Sequence, residues 1–184
     1  NVIDGRAALD YKSVHDPIKN DDCQTCHQQR HSTKEAKLLK TPQPKLCLRC
    51  HADGVTSKTP LHKPIRDKGC TECHRPHTSE NKKLLKDWPI EKLCHSCHDA
   101  EKTKEALGEV HKPVKEGRCV ECHDPHSGEE APLLKTTRRD LCFECHPQNE
   151  LTDKQFLHTA VREGRCDKCH HPHATGKPKM LFAE

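Results

Sequence analysis

The sequence predicts a mostly irregular fold of short α-helices, turns and long loops, with little or no β-sheet. Three observations support this prediction. The 184 residues include only 3% aromatic and 33% charged side chains, so the chain holds too little apolar surface for an ordinary core. Thirteen prolines and eight glycines interrupt the regular segments, and no convincing alternating strand pattern is present. Fourteen cysteines recur in short paired motifs, which indicates that bound groups supply the missing core.

All fourteen cysteines belong to C-x-x-C-H motifs, of which the chain has seven. Two thiols three positions apart can each add to one vinyl group of a porphyrin, and the next histidine then lies under the iron. The motifs therefore predict seven haem c groups. The predicted attachment cysteines are Cys23, Cys26, Cys47, Cys50, Cys70, Cys73, Cys94, Cys97, Cys119, Cys122, Cys142, Cys145, Cys166 and Cys169. The predicted proximal iron ligands are His27, His51, His74, His98, His123, His146 and His170.

Three other interpretations of paired cysteines explain the pattern less well. Structural zinc takes four ligands from two knuckles, and seven knuckles do not pair off. A thioredoxin-like C-x-x-C motif belongs in a βαβ context that this sequence lacks. Seven local disulfides would leave the seven following histidines unexplained. Covalent haem is therefore the interpretation that the sequence favours.

The motifs form a larger repeat with a period of 47 to 49 residues. We divide the chain into residues 1–14, an N-terminal segment, three two-haem repeats at 15–61, 62–110 and 111–157, and a one-haem half repeat at 158–184. Together they form one continuous haem-binding domain. Successive proximal histidines lie 23 to 25 residues apart, which predicts a linear stack of haems at similar spacing. The polypeptide is then a wrapping around this stack.

The repeat H-x-P-[IV]…C-x-x-C-H-x-P-H…L-L…L-C-x-x-C-H resembles the doubled C-x-x-C-H repeat of multihaem cytochromes c. The resemblance covers roughly residues 15 to 181. It implies an electron-transfer protein, not an enzyme, exported to the periplasm or the cell exterior. It also implies redox partner proteins or extracellular electron acceptors, often in respiration.

Ten further histidines remain, and eight of them occupy equivalent positions in the repeats. One kind lies eight residues before a first cysteine, and the other follows a proximal histidine by three or four. Neighbouring prolines narrow the backbone at most of these positions, which pre-orders an imidazole for a metal. We therefore expect bis-histidine iron throughout. The predicted distal ligands are His15, His31, His62, His77, His111, His126, His158 and His173.

Some histidines depart from this pattern. His31 follows Gln28-Gln29-Arg30, with no proline and one extra residue. His95 lies inside a motif and is expected to be a solvated surface residue. His171 aligns with Arg75 and Asp124, which are not ligands, yet a histidine beside a proximal one can reach a neighbouring haem.

Eight distal positions for seven haems leave one histidine over. His173 is the first candidate for this surplus, because the last repeat is half a unit, and His15 is the second. One hypothesis is that the surplus histidine ligates a terminal haem of the next molecule in a head-to-tail filament. An internal or unused histidine is the equally open alternative.

The leading function is conduction of electrons along closely spaced haems. Ligation by two histidines lacks the methionine that raises the potential, so we expect mostly negative midpoint potentials. A multihaem reductase is the rival function, but it needs one iron with an open site. All seven motifs end in histidine, and enough distal histidines are present to close every iron. A third possibility is an electron-delivery subunit of a larger redox complex.

The positive formal charge of the chain does not indicate a nucleic-acid partner, and we expect none. The formal charge is +4, but each haem adds two propionates, so the basic residues serve to neutralise these groups. No apolar run approaches the roughly 20 residues of a transmembrane helix. Residue 1 is Asn, which is compatible with prior removal of an export signal.

The local sequence also predicts particular helices. Pro44, Pro89 and the pair Thr136-Thr137 precede second motifs, and each is expected to open a short helix that carries the cysteines. Further helices are expected at 99–107 and 152–157. The Leu-Leu pair of each repeat, and Met180-Leu181 in the last, are expected to pack on haem edges.

Overall fold

The computed structural model describes residues 2–3, 6–7, 10–29, 34–99 and 108–182. Across these residues the chain forms short helices joined by turns and loops, and its strands have only two residues each. The α-helices are α1 Asp16–Lys19, α2 Lys45–Val55, α3 Lys63–Asp67, α4 Ile90–His95, α5 Lys112–Lys115, α6 Cys119–Cys122, α7 Arg138–Phe143, α8 Gln148–Thr152 and α9 Thr159–Arg162. The predicted fold class, short helices with little β-sheet, is confirmed.

Short 3₁₀-helices complete the regular structure at two recurring places, the first motif of a repeat and the leucine pair that follows it. They are Cys23–Thr25, Ala36–Leu38, Cys70–Glu72, Lys82–Leu84, Cys166–Lys168 and Pro178–Met180. A 3₁₀ turn is tighter than an α-turn and suits such short segments.

Three antiparallel strand pairs occur in the described residues. The strands are β1 Val2–Ile3, β2 Arg6–Ala7, β3 Ser13–Val14, β4 Thr78–Ser79, β5 Glu109–Val110 and β6 Ala174–Thr175. The pairs are β1 with β2, β3 with β4, and β5 with β6. In the last two pairs, a strand that ends just before the first histidine of one repeat, His15 or His111, pairs with a strand of the next repeat. That second strand begins just after His77 or His173.

The chain divides into two compact units. The first comprises residues 1–57 and 62–88. Its described core is small: Ile65 of α3 and Leu85 are the buried apolar side chains, and Thr78 and Ser79 of β4 are buried with them. The hydroxyl of Ser79 donates to the carbonyl of Leu85, so this buried polar group is satisfied.

The second unit comprises residues 58–61 and 89–184. Among its described residues, the buried apolar side chains are Leu134 and Ala174, and Ser127 is buried beside a backbone contact to Leu61. Neither unit has, in its described part, the apolar interior of an ordinary domain of this length.

A histidine followed by proline begins the first helix of three repeats. His15, His62 and His111 are the N-cap residues of α1, α3 and α5, and each helix has a proline at its first or second position. The extended backbone of these histidines and the fixed φ of proline suit a helix start. The imidazoles are thereby held at the point where the chain turns.

The predicted helices at the second motifs are present, but α4 and α7 carry only the first cysteine of the motif and end before the second. α2 and α4 have Pro44 and Pro89 as N-cap residues. α7 begins after Thr137, whose side-chain oxygen accepts from the N–H of Asp140.

The other two helix predictions have different outcomes. The helix expected at 152–157 is wrong, because α8 instead begins after Pro147 and ends at Thr152, before the non-helical backbone of Asp153. Proline favours the first turn of a helix, so Pro147 is the local signal that explains this position. The helix expected at 99–107 lies almost wholly outside the described residues.

Two glycines should respond oppositely to replacement by alanine. A Cβ on Gly128 would clash with the backbone of Leu133, so Gly128→Ala is expected to destabilise the fold by at least about 1 kcal/mol. Gly54 of α2 is the matched control, because no atom lies within 4 Å of the position that its Cβ would occupy. Gly54→Ala should stabilise by roughly 0.5–1 kcal/mol. Thermal unfolding of the haem-loaded protein measures both. Equal changes in melting temperature for the two variants would contradict the close approach of the Leu133 backbone to Gly128.

Candidate haem-binding sites

A backbone carbonyl fixes the proximal histidine of the first motif in all four repeats. In each case the imidazole Nδ1 lies 2.8–2.9 Å from a carbonyl oxygen nine or ten residues further on. The pairs are His27 with Lys37, His74 with Lys83, His123 with Pro132 and His170 with Lys179. A carbonyl can only accept, so Nδ1 carries the proton and Nε2 is left for a metal.

The loop that supplies this carbonyl has a strained backbone. Lys37 and Leu38 both have positive φ, at 59° and 57°, and the equivalent Lys83 and Leu84 have 56° and 57°. Residues other than glycine rarely adopt this region, and such strain concentrates at functional sites. The conformation directs two successive carbonyls toward the motif, since the N–H of Gln28 also donates to the carbonyl of Leu38.

The Leu-Leu pairs thus have a second role that the sequence did not reveal. The second residue of each pair forms an antiparallel bridge with the proximal histidine: Leu39, Leu85, Leu134 and Leu181 with His27, His74, His123 and His170. Leu85 and Leu134 are buried. The pair therefore holds the ligand loop closed in addition to its predicted packing, and only the regular spacing within the repeat could have signalled this.

Four predicted proximal histidines face predicted distal histidines at closely similar distances. The distances between ring centroids are 6.0 Å for His15 and His51, 6.0 Å for His27 and His77, 6.2 Å for His111 and His146, and 5.9 Å for His123 and His173. The partners lie 36, 50, 35 and 50 residues apart in sequence. Distant segments therefore meet in the same geometry in both compact units.

This separation fits an iron ion between two imidazoles. A metal–nitrogen bond of about 2 Å, with roughly 1 Å from nitrogen to ring centre on each side, puts the centroids about 6 Å apart. Two imidazoles at this separation would hold the iron of a haem, which would supply one-electron redox chemistry. A tetrahedral zinc ion would not place its ligands on opposite sides. The residues therefore fit haem.

The distal histidines are held by the same device as the proximal ones. The Nδ1 atoms of His15 and His111 lie 3.0 Å and 3.1 Å from the carbonyls of Pro76 and Pro172. The backbone N–H of His15 also donates to the carbonyl of His77, and that of His111 to His173. Pro76 and Pro172 therefore each orient a predicted distal ligand of the preceding repeat, in addition to narrowing their own backbone.

Burial favours the neutral form of one predicted distal imidazole, that of His173. Desolvation lowers the pKa of His173 below its ordinary value, and the nearby His123 adds to the effect. A metal binds the neutral imidazole, so this shift favours a ligand role.

His171 has a structural role in the described loop. Its Nδ1 accepts from the backbone N–H groups of His173 and Ala174, both at 3.2 Å. The carboxylate of Asp124, at the equivalent position, accepts from the N–H groups of His126 and Ser127. Histidine and aspartate thus replace one another as turn-forming acceptors, and in this tautomer Nε2 of His171 carries the proton.

The other predicted ligands are placed as follows. His62 is the N-cap of α3, His98 follows α4 and is exposed, and His126 lies in the turn closed by Asp124. His95 has Nδ1 3.3 Å from the carbonyl of His98. His31 lies outside the described residues.

The last repeat differs from the others. His158 is exposed, and its Nδ1 accepts from the backbone N–H of Ala160. By contrast, the Nδ1 atoms of His15 and His111 contact a backbone carbonyl of the following repeat. Within the described residues, neither His158 nor His170 has another imidazole opposite its ring.

None of the fourteen cysteines is fully buried. Cysteines of successive motifs approach each other within each unit. A hydrogen bond with Cys47 lowers the pKa of Cys70 to about 7, and the same contact raises the pKa of Cys47. Burial and the neighbouring Cys166 raise the pKa of Cys142 to about 11. Successive C-x-x-C-H motifs therefore approach each other at Cys47 with Cys70, and at Cys142 with Cys166.

A known protein family accounts for this arrangement. The family described as the doubled CXXCH motif matches residues 15–56, 62–103, 111–151 and 158–184, which is most of the chain. The chain belongs to the doubled CXXCH motif family. Its four matched stretches begin at His15, His62, His111 and His158. No curated protein gives a significant match.

Membership of the doubled CXXCH family indicates a multihaem cytochrome c with covalently bound haem and a role in electron transfer. Among the helices that the structure describes, none combines the length and apolar composition needed to cross a membrane. The described residues also contain no separate cluster of three or more His, Cys, Asp or Glu side chains arranged for a metal ion.

Proposed function

We propose that the protein conducts electrons along seven covalently bound haem c groups with bis-histidine iron. The observation that carries this proposal is the set of four imidazole pairs at 5.9–6.2 Å. Haem supplies the one-electron chemistry when bound, and the chain supplies spacing, ligation and electrostatics. The seven motifs, which use all fourteen cysteines, support the count of seven.

The contacts between motifs support transfer in chain order within each unit. Cys47 of the second motif meets Cys70 of the third in the first unit, and Cys142 meets Cys166 in the second. Because thioether sulfurs mark the edges of their porphyrins, such contacts place two haem edges next to each other. Electron tunnelling falls steeply with distance, so adjacent edges set the favoured steps.

The ring pairs support a specific rule for the distal ligands. A histidine that lies eight residues before a first cysteine, such as His15 or His111, serves the second haem of its own repeat. A histidine that follows a proximal histidine by three residues, such as His77 or His173, serves the first haem of the preceding repeat. Within residues 1–184 this rule leaves two of the predicted distal histidines, His158 and His31, without a haem to serve, whereas His173 and His15 already face proximal histidines.

The remaining parts of the proposal rest on the family. Multihaem cytochromes c are exported, so we place this protein in the periplasm or outside the cell. Its partners are redox proteins or extracellular electron acceptors. Head-to-tail association of several copies would extend the conduit beyond one molecule.

A redox titration tests this function. We expect the pyridine haemochrome assay to give seven haems per chain and the midpoint potentials to be mostly negative, because no methionine ligand is available to raise them. Spectroelectrochemistry measures the potentials, and electron paramagnetic resonance should show at least six low-spin irons. Fewer haems or uniformly positive potentials would contradict the proposal.

A further inference from the structure

Within the second unit, helix α7 reaches the first motif of the next repeat through the side chain of Arg138. The guanidinium donates to the carboxylate of Asp167 at 2.7 Å. Asp167 lies between the two cysteines of the seventh motif, Cys166 and Cys169, and is 29 positions from Arg138. Because α7 also carries the first cysteine of the sixth motif, the ion pair joins the sixth motif to the seventh.

Three further contacts fix Arg138 in place. Its Nη2 donates to the carbonyl of Ala131 at 2.9 Å and lies 3.2 Å from the carboxylate of Glu130. Its backbone N–H donates to the same carboxylate at 2.8 Å. The side chains of Arg138 and Asp167 are only 38% and 27% exposed. An isolated surface ion pair contributes little, whereas a partly buried pair within such a network has a defined geometry.

The ion pair lies beside a contact between cysteines of the two motifs. Cys142 of α7 forms a hydrogen bond with Cys166, the residue that precedes the paired aspartate. The side chain of Arg139, the next residue of the helix, covers Gly164, where a Cβ would clash with it. Helix α7 therefore contacts the turn before the seventh motif, the first cysteine of that motif and the residue after it.

Contacts at the same place recur between other repeats. In the first unit, Oε1 of Gln43, just before α2, accepts from the backbone N–H and the hydroxyl of Thr71, both at 3.3 Å. Thr71 occupies the position of Asp167 in its motif. In the second unit, Glu91 of α4 covers Gly117, again in the turn before a first motif. The ion pair is therefore the charged form of a contact that joins successive repeats.

We propose that Arg138 is a positioning residue for electron transfer between the third and fourth repeats. By pairing with Asp167 it holds the sixth motif beside the seventh, and it neutralises the carboxylate that the seventh motif carries. This inference rests on the proposed function, because it concerns the haems attached at Cys142 and Cys166. The step moves one electron from a ferrous to a ferric iron and moves no atom, so the separation and the relative potentials of the two sites govern it.

The charges of the pair predict the sign of each substitution. Ferric haem carries one more positive charge than ferrous haem, so loss of a nearby positive charge lowers the midpoint potential and loss of a negative charge raises it. Arg138→Gln should therefore shift the potential of one haem to a more negative value, and Asp167→Asn should shift it to a more positive one. The double variant should return close to the unmodified protein. A purely structural pair would shift the potential in the same direction in both single variants.

Redox titration of the haem-loaded protein, followed by NMR of the haem methyl groups, measures each haem separately. Low ionic strength is suitable, because salt screens partly exposed charges. In Arg138→Gln we also expect a loss of interaction between two haems, so that reduction of one no longer shifts the potential of its neighbour as strongly. Arg118→Gln is the matched control, because Arg118 pairs at 2.8 Å with Glu121 of the fifth motif in its own repeat. This control should lower the potential of a different haem and leave that interaction unchanged.

Three results would overturn the proposal: unchanged potentials in the two single variants, shifts of the same sign in both, or an unchanged interaction between the two haems in Arg138→Gln. If Arg138→Gln failed to take up haem, Asp167→Asn would decide alone, since a positive shift supports the proposal and no shift contradicts it. An unmodified protein without seven redox-active haems would instead contradict the proposed function, so the two failures are distinguishable.

Discussion

A chain made without covalent haem is expected to remain unfolded. The described residues contain four buried apolar side chains, Ile65, Leu85, Leu134 and Ala174, which is far too few to offset the conformational entropy of so long a chain. Haem attachment joins each porphyrin to two cysteines and one histidine, so its binding free energy is part of the folding free energy. Far-UV circular dichroism and limited proteolysis of haem-free protein measure the outcome.

The control for this prediction is the haem-loaded protein at the same concentration. Haem-free samples should be kept reduced, because fourteen thiols would otherwise form disulfides that mimic or block folding. We expect rapid digestion of the haem-free chain and slow digestion of the loaded one. A cooperative thermal transition in reduced, haem-free protein would show that the side chains suffice for folding.

Replacement of His173 by alanine should open one iron. His173 faces His123 at 5.9 Å, and its burial keeps the imidazole neutral for metal binding. Relative to the unmodified protein at the same concentration, His173→Ala should show one additional high-spin haem per chain that binds carbon monoxide. The midpoint potential of that haem should change as well, because the axial ligand helps to set it.

The neighbouring histidine provides a matched control. His171→Asp introduces the residue that the preceding repeat has at this position, Asp124, whose carboxylate closes the same turn. We expect this variant to keep the number of low-spin haems and the carbon monoxide response of the unmodified protein. If His171→Asp opened an iron and His173→Ala did not, His171 would be the iron ligand and our assignment of His173 would be wrong.

Much of the fold and of the site follows from local sequence. The C-x-x-C-H spacing is decided within five residues, and the histidines recur every 23 to 25 residues. The helices α2 and α4 begin behind Pro44 and Pro89 because proline acts on its immediate neighbours. Pro147 is a signal of the same kind, and it marks the start of α8 in place of the helix expected at 152–157.

The tertiary structure decided which distant segments meet. His27 faces His77 across 50 residues, and no local spacing specifies this partner. Counting alone points to His173 as the surplus histidine, whereas His173 faces His123 and His158 faces no other ring in the described residues. Pairing between repeats depends on where strands β3 and β4, or β5 and β6, come together.

The backbone carbonyls that orient the proximal histidines were likewise invisible in the sequence. Their acceptors belong to Lys37, Lys83, Pro132 and Lys179, residues whose side chains have no part in the contact. By itself, the sequence determined the covalent chemistry, the repeat and the short helices, because these depend on neighbouring residues. Only the tertiary structure decided which imidazoles face each other and how their rings are oriented, because backbone groups and imidazoles meet across long loops once the chain is folded.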